Sequence, residues 1–503
     1  MIQLKHVTYW YPDAPSPVLD DLNLEVADGE FVLLVGPSGC GKSTLLRCLN
    51  GLVPHFYGGR LSGTVRVAGL DPSHEEPRRM SSIVGFVFQD PEAQFVVDTV
   101  ESELVFAMEN ANLPQTTMRK RVEEVLDQLN IAHLRQRRIS TLSGGEKQRV
   151  AIASILTLQP RVVVLDEPTS QLDPQAAEEV LTILHKLNSD LGLTIILSEH
   201  RLERVVQYVD RILYLAGAGQ PLLSGTPEQM LAILPQVPPL IELGRALGWH
   251  PLPVTIKEAR RYASQLQMPQ RVVPVSRPEV TTPLDINIEN LWYSYNGQPA
   301  LKGINLQIHQ GEVVALMGRN GSGKSTLLKQ LVGLLQPQRG QVTICGLDTR
   351  QASTDEIIAA VGYVPQNPNS LLFAETVREE IAFTRRNHHL TIGDEQPLLD
   401  SLQLGALGGR YPRDLSVGER QRVALAAILA GEPRVILLDE PTRGLDYVQK
   451  HLLTSFLAQE KARGHTVILA THDVELAAAS VDRVVIMGDG EIVVDGSTRE
   501  VMT

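Results

Sequence analysis

Three cysteines in 503 residues, Cys40, Cys48 and Cys345, are too few and too scattered for a disulfide framework or a thiolate metal cage. They suit a reducing compartment. A basic excess is also missing. The chain has 46 Lys and Arg against 58 Asp and Glu, a net charge of −12. That argues against a general nucleic-acid binder, because affinity for a phosphate backbone grows with cationic side chains. No apolar run approaches the roughly 18–20 residues that a bilayer-spanning helix needs. Met1 leads straight into strand-like IQLKHV with no signal-peptide pattern, so neither a membrane span nor export by that route is expected. What is present is the composition of a folded protein, 43% hydrophobic and 21% charged. The length exceeds one ordinary core and fits two or three domains of roughly 150–250 residues each.

The same ordered series of residues occurs twice. Lys42 recurs as Lys324, Gln89 as Gln366, Glu167 as Glu440 and His200 as His472, at offsets of 282, 277, 273 and 272 residues. Self-similarity at that scale is a duplicated domain. Each copy opens with roughly alternating strands, LKHVTYWY and VLDDLNLEV in the first, INIENLWYSY and LKGINLQI in the second. A buried apolar strand follows, then a glycine loop and a helix. Further on, VVVLDE and VILLDE are too continuously apolar to face water on either side, which marks a central parallel strand. Residues 222–284 between the copies are Pro-rich (PQVPPL, HPLPV, VSRPEV) with one amphipathic helical segment, TIKEARRYASQL, and read as an extension and linker.

Two stretches match GxxxxGK[ST] between a buried strand and a helix. One comprises Gly36, Pro37, Ser38, Gly39, Cys40, Gly41, Lys42, Ser43 and Thr44. The other comprises Gly318, Arg319, Asn320, Gly321, Ser322, Gly323, Lys324, Ser325 and Thr326. Glycines let backbone N–H groups converge on phosphate oxygens, and the helix N-terminus adds positive potential. Lys42 and Lys324 are placed to reach the outer phosphates of ATP, Ser43 and Ser325 to ligate Mg²⁺. RVVVLDEPTS and RVILLDEPTR each end a buried strand with adjacent carboxylates that cannot share one role. Asp166 and Asp439 are expected to orient the metal shell, Glu167 and Glu440 to polarise the attacking water. The bland reading is an acidic pair that caps the next helix.

LSGGEKQRV (142–150) and LSVGERQRV (415–423), each followed about twenty residues later by the acidic strand, resemble the signature of the ATP-binding cassette family, and the resemblance covers almost the whole chain. It implies two tandem P-loop α/β domains, residues 1–235 and 285–503, with an extension and linker at 236–284. Each domain is expected to hold a mostly parallel core sheet, an antiparallel β subdomain and a helical subdomain. In that family the signature of one domain completes the ATP site of the other. One site would then join Lys42, Ser43, Gln89, Asp166, Glu167 and His200 to Ser416 and Gly418. Its mate would join Lys324, Ser325, Gln366, Asp439, Glu440 and His472 to Ser143, Gly144 and Gly145. Gln89 and Gln366 resemble the family's Mg²⁺-sensing glutamine, His200 and His472 its switch histidine at the γ-phosphate. Asp173 and Asp446 resemble its loop between sites. Adenine is expected on Tyr11 and Tyr295, with Tyr9 and Tyr293, on the same strand faces, as competing choices.

Two positions depart from the family pattern. Val417 replaces the first glycine of the second signature, which is either benign or slows the Lys42 site. Cys40 lies inside the phosphate loop, where it is either an activated thiol that ATP protects from alkylation or an inert packing residue. With no span of its own, the chain must work on a partner. DPEAQFVVDTVESELVFAMEN and NPNSLLFAETVREEIAF resemble the region by which energy-coupling factor ATPases grip a membrane coupling subunit, and PPLIELGRALGWHPLPVTIKEA their extension. That resemblance implies an importer of a vitamin or transition-metal ion, a separate membrane substrate-binding subunit and a peripheral position on the cytoplasmic face of the cell membrane. The alternative is a soluble twin-cassette ATPase acting on ribosomes, whose linker is typically a long charged helical arm. DNA-repair cassettes carry zinc modules or coiled coils, and three isolated cysteines without a long heptad run argue against both.

Overall fold

Alternating IQLKHVTYW buries every second side chain along much of the strand Ile2–Trp10, which pairs antiparallel with Leu19–Val26 on one side and Arg60–Val67 on the other. The computed structural model describes residues 1–266, 282–391 and 393–502. The part of the expected linker at 267–281, VSRPEV included, lies outside the described residues. Two compact units divide the chain, Met1–Pro269 and Gln270–Thr503.

In the first unit the apolar run Phe31–Val35 is buried along its whole length, as a strand covered on both faces must be. It lies between Thr194–Ser198 and Arg211–Tyr214, both parallel to it. The sheet continues outward through Val162–Asp166 to Val84–Val87, also parallel, and closes on the other edge with the antiparallel Leu223–Gly225. Ile2 and Leu4 of the antiparallel sheet, Val32 and Leu34 of the parallel one, and Leu45 and Leu46 of the intervening helix share one core. Each such side chain contributes about 1.5–3 kcal/mol on burial.

The second unit repeats the plan. Val313–Met317, Val435–Asp439 and Thr466–Ala470 are each buried throughout and parallel, and Leu284–Tyr295 anchors an antiparallel sheet between Gln298–His309 and Arg339–Ile344. Both units are α/β with a mostly parallel core sheet, an antiparallel sheet and a helical region, the class that the family resemblance implies. The described part of the extension forms the helices Pro227–Ile233, Pro239–Ala246 and Ile256–Ala263 within the first unit. TIKEARRYASQL begins its helix where Thr255 and Glu258 form a capping box, and Tyr262 stacks on Trp249 at 5.1 Å. Among the described residues no helix is long and apolar enough to cross a membrane.

Candidate functional site

Each GxxxxGK[ST] stretch wraps from a buried strand into the first turn of a helix, Lys42–Leu49 or Lys324–Leu331. Gly41 and Gly323 cap those helices at φ 105° and 103°, in left-handed backbone that suits glycine. A Cβ at Gly323 would lie 2.8 Å from the Ala300 carbonyl oxygen. The lysines fold back over their loops: Lys42 Nζ donates to the carbonyl oxygens of Gly36 (2.8 Å) and Pro37 (3.0 Å), Lys324 Nζ to those of Gly318 (2.7 Å) and Arg319 (3.0 Å). Both ammonium groups are thus held at the mouth of a loop built to receive anions.

The acidic pairs stand at the ends of Val162–Asp166 and Val435–Asp439 and cap no helix. Ser43 and Ser198 both hydrogen-bond Asp166, the latter through Oγ at 2.7 Å. Ser325 Oγ donates to Asp439 at 3.0 Å. Burial raises the pKa of both aspartates, against the lowering effect of these hydroxyls. Glu167 moves the other way. Burial would lift it, but His200, Lys42 and Gln89 outweigh that and hold the carboxyl below its ordinary range. Neighbouring carboxyls displaced in opposite directions are suited to different tasks. The two glutamates also adopt left-handed backbone, φ 48° at Glu167 and 50° at Glu440, at a cost of about 1–3 kcal/mol each. The adjacent strand fixes them there: the Glu167 N–H donates to the Ser198 carbonyl at 3.1 Å and the Glu440 N–H to that of Ala470 at 2.8 Å.

The two copies differ in what surrounds the glutamate. In the first, Gln89 Nε2 donates to Glu167 Oε2 and His200 Nε2 lies against Oε1, each at 2.7 Å. In the second, Gln366 is exposed. His472 Nδ1 stands 2.8 Å from Glu440 Oε2, but the pair is poorly aligned, and neither carboxylate oxygen nor either ring nitrogen makes a well-directed hydrogen bond. Distance alone is not a bond, so these are buried polar atoms without a directed partner, the condition of a site that a phosphate, a water and Mg²⁺ would complete.

Ser143 and Ser416 are the N-caps of the helices Gly144–Leu156 and Val417–Leu429, each in a capping box with Glu146 or Glu419. Gly145 and Gly418 lie in the first turns of those helices. Asp173 and Asp446 cap the helices that follow the acidic strands, accepting from the backbone N–H of Ala176 and Gln449 at 2.9 Å. The signature serines belong to different units from the phosphate loops they are expected to complete.

Of the tyrosines, Tyr9 is fully buried and its hydroxyl donates to the Gly58 carbonyl at 2.7 Å, which removes it as a stacking surface. Tyr11 stays half-buried beside the phosphate-loop helix, its hydroxyl 3.0 Å from Thr44 Oγ1. Tyr295 is exposed while Tyr293 packs on the core. Missed in the sequence was Glu199. Buried beside His200, its Oε2 accepts the His200 N–H at 3.0 Å and its Oε1 the Thr169 N–H at 3.0 Å. Only the adjacency of a carboxylate to His200 could have signalled it.

Cys40 is 7% exposed and part of the first unit's core, which favours packing over the activated-thiol alternative. Burial pushes Cys48 up to about 12 and Cys345 up to about 11, ahead of any charge effect. Under native conditions at pH 8, a disulfide reagent is expected to modify all three thiols at least about tenfold more slowly than in denaturant. Rapid labelling of Cys40 that ATP prevents would restore the reactive reading.

The ABC transporter family model matches residues 19–170 and 301–443. A Streptomyces coelicolor protein, named for an ABC transporter ATP-binding role, is 45% identical over all of this chain and 95% of its own length. The structure of cbiO1 from Clostridium perfringens, described as part of the ABC transporter complex cbiONQ, aligns at 29% identity over 52% of this chain and 98% of that one, with a TM-score of 0.43. A chain in the complex of the archaeal ribosomal stalk protein aP1 with the archaeal ribosome recycling factor aABCE1 aligns over 99% of this chain and 91% of its own at 22% identity. Its TM-score of 0.60 marks a likeness of fold alone.

Proposed function

The chain belongs to the ABC transporter family, with two ATP-binding cassettes, and we propose that it is the energy-coupling ATPase of an importer of the energy-coupling factor type, for a vitamin or a transition-metal ion. It would sit on the cytoplasmic face of the membrane, bound to a transmembrane coupling subunit that works with a separate substrate-binding subunit.

Two composite sites do the work in this reading. Lys42 and Lys324 hold the outer phosphates. The signature helix of the other cassette brings Ser416 or Ser143 to the terminal phosphate, where an N-terminus favours negative charge. Glu167 and Glu440 take a proton from the attacking water, with His200 and His472 beside them. Ser43, Gln89 and Asp166, like Ser325, Gln366 and Asp439, would hold Mg²⁺, which when bound neutralises charge on the phosphates. Shifting a closed state from 1:99 to 99:1 takes about 5.5 kcal/mol, which two sandwiched nucleotides can share.

The observation that carries the membrane-coupling step is how the segment after each glutamine is held. Val96 is 63% exposed and Phe373 70% exposed, at matching places in the two units. Each is fixed by a buried carboxylate: Glu103 Oε2 accepts the N–H groups of Val96 (3.0 Å) and Val97 (3.1 Å), and Glu380 Oε2 those of Phe373 (2.9 Å) and Ala374 (2.8 Å). In the first unit Val96 lines a cleft of about 910 Å³ with Phe86, Phe88, Phe106 and Ile155, between the edge strand of the parallel sheet and the helical region. A rigid apolar rim of that kind suits a partner's helix. The test is isolation of the tagged chain from membranes in mild detergent. An integral membrane subunit and a bound small molecule are expected to come with it. Cosedimentation with ribosomes instead would overturn the proposal in favour of the ribosomal alternative.

A further inference from the structure

Asp166 and Asp439 occupy the same place in their cassettes but not the same company. Both strand ends are flanked alike, with Asp166 opposite Ser198 and Asp439 opposite Ala470 in the parallel register. In the first cassette Ser198 Oγ donates to Asp166 Oδ1 at 2.7 Å, and its oxygen accepts the Glu167 N–H at 3.0 Å. Ala470 has no hydroxyl with which to do this. In the second cassette the extra donor arrives from the opposite neighbouring strand, where the Tyr363 hydroxyl donates to Asp439 Oδ2 at 3.3 Å. Tyr363 pairs with Leu437 on the same rung on which Phe86 pairs with Val164, and Phe86 has no hydroxyl. Each cassette therefore carries one of two alternative donors and lacks the other.

We propose that Ser198 and Tyr363 are interchangeable positioning residues, each orienting the buried aspartate of its own cassette so that the carboxylate is presented to Mg²⁺. The proposal rests on the reading of Asp166 and Asp439 as the Mg²⁺ carboxylates. A carboxylate with two acceptor oxygens and only one fixed hydroxyl, Ser43 or Ser325, retains rotational freedom about its terminal bond. A second donor removes that freedom. The swap also makes the substitutions mild, because each places in one cassette the residue that the other already tolerates at that position.

The experiment uses the full chain with one cassette silenced, Lys324→Ala to observe the first and Lys42→Ala to observe the second. Binding of trinitrophenyl-ATP is followed by fluorescence in EDTA and then across a Mg²⁺ titration. Ser198→Ala in the first cassette and Tyr363→Phe in the second are each expected to raise the Mg²⁺ concentration at half-effect about tenfold, the usual scale for a lost outer-shell partner, with binding in EDTA unchanged. Adding Phe86→Tyr to Ser198→Ala, or Ala470→Ser to Tyr363→Phe, is expected to restore Mg²⁺ response to within about twofold of the parent. A Mg²⁺ response that does not move in the single variants, or equal losses with and without metal, or no recovery in the transplants, would overturn the proposal. Asp166→Asn is the separate check: if it leaves Mg²⁺ dependence intact, the metal assignment of the aspartate fails, whatever Ser198 does.

Discussion

Turnover is expected to fall about a thousandfold when Glu167→Gln and Glu440→Gln are combined, within the range that loss of a positioned general base costs. ATP binding should survive, because the phosphate loops and their lysines are untouched. The expectation is specific to these two carboxylates. Both are buried in left-handed backbone directly after a buried central strand, and the neighbours of Glu167 depress its pKa. An amide of the same shape keeps the hydrogen bonds to the neighbouring strand but cannot take a proton. ATP hydrolysis measured at saturating nucleotide, with equilibrium binding of the same samples, checks both halves. A double variant that retains a tenth of wild-type turnover would remove the glutamates from the reaction.

The single variants address Val417. Gly144, its counterpart, does not use the left-handed backbone that only glycine favours, and a Cβ there would make ordinary contact with Leu172. Val417 turns its methyl toward Gly444 of its own cassette, where an added Cβ would lie 3.2 Å away. The helix start therefore accepts a β-branched residue without strain, and Glu167→Gln and Glu440→Gln are expected to leave residual rates within about threefold of each other. A large inequality would instead mean that Val417 affects the site it is expected to complete.

Those outcomes separate what was legible in the chain from what was not. The glycine turns from strand to helix, the acidic strand ends and the serines that start helices were legible because residue types recur at fixed local spacing, next to a strand or helix whose periodicity is itself visible. The buried strands were legible for the same reason: VVVLD and VILLD leave no face for water. What was not legible depends on residues distant in the chain. Tyr9 and Tyr11 alternate onto one face, and nothing local says which is covered. That choice is made by the carbonyl of Gly58, 49 residues on. Cys40 is buried with a core that includes Leu215, just past the end of the strand Arg211–Tyr214 far downstream, so its neighbours in sequence gave no hint. The hydroxyls of Ser198 and Tyr363 acquire meaning only when strand order places each on a strand beside the acidic strand of its own cassette.

Pairing lesions across the two cassettes gives the second large effect, because it separates composite sites from self-sufficient ones. Lys42→Ala removes the cation of one phosphate loop, and Ser416→Arg puts a bulky charge at the helix start expected to face that same nucleotide. If each site draws its parts from both cassettes, these two lesions damage one site only and their effects do not add. Lys42→Ala with Ser143→Arg damages both sites, although both residues lie in the first unit. In the Glu→Gln double background, gel filtration after incubation with Mg·ATP is expected to retain about two nucleotides per parent chain, about one for Lys42→Ala/Ser416→Arg and fewer than about 0.1 for Lys42→Ala/Ser143→Arg. Two self-sufficient cassettes would give the reverse order, since the second pair would then spare the whole Lys324 site. Because Ser143 and Ser416 also start their helices, either substitution removes a cap, at a cost of about 1 kcal/mol. A stability loss of that size would lower both pairs alike. The contrast between the pairs therefore reads reciprocity and not helix stability, and equal retention by the two would mean that Ser143 and Ser416 take no part in holding either nucleotide.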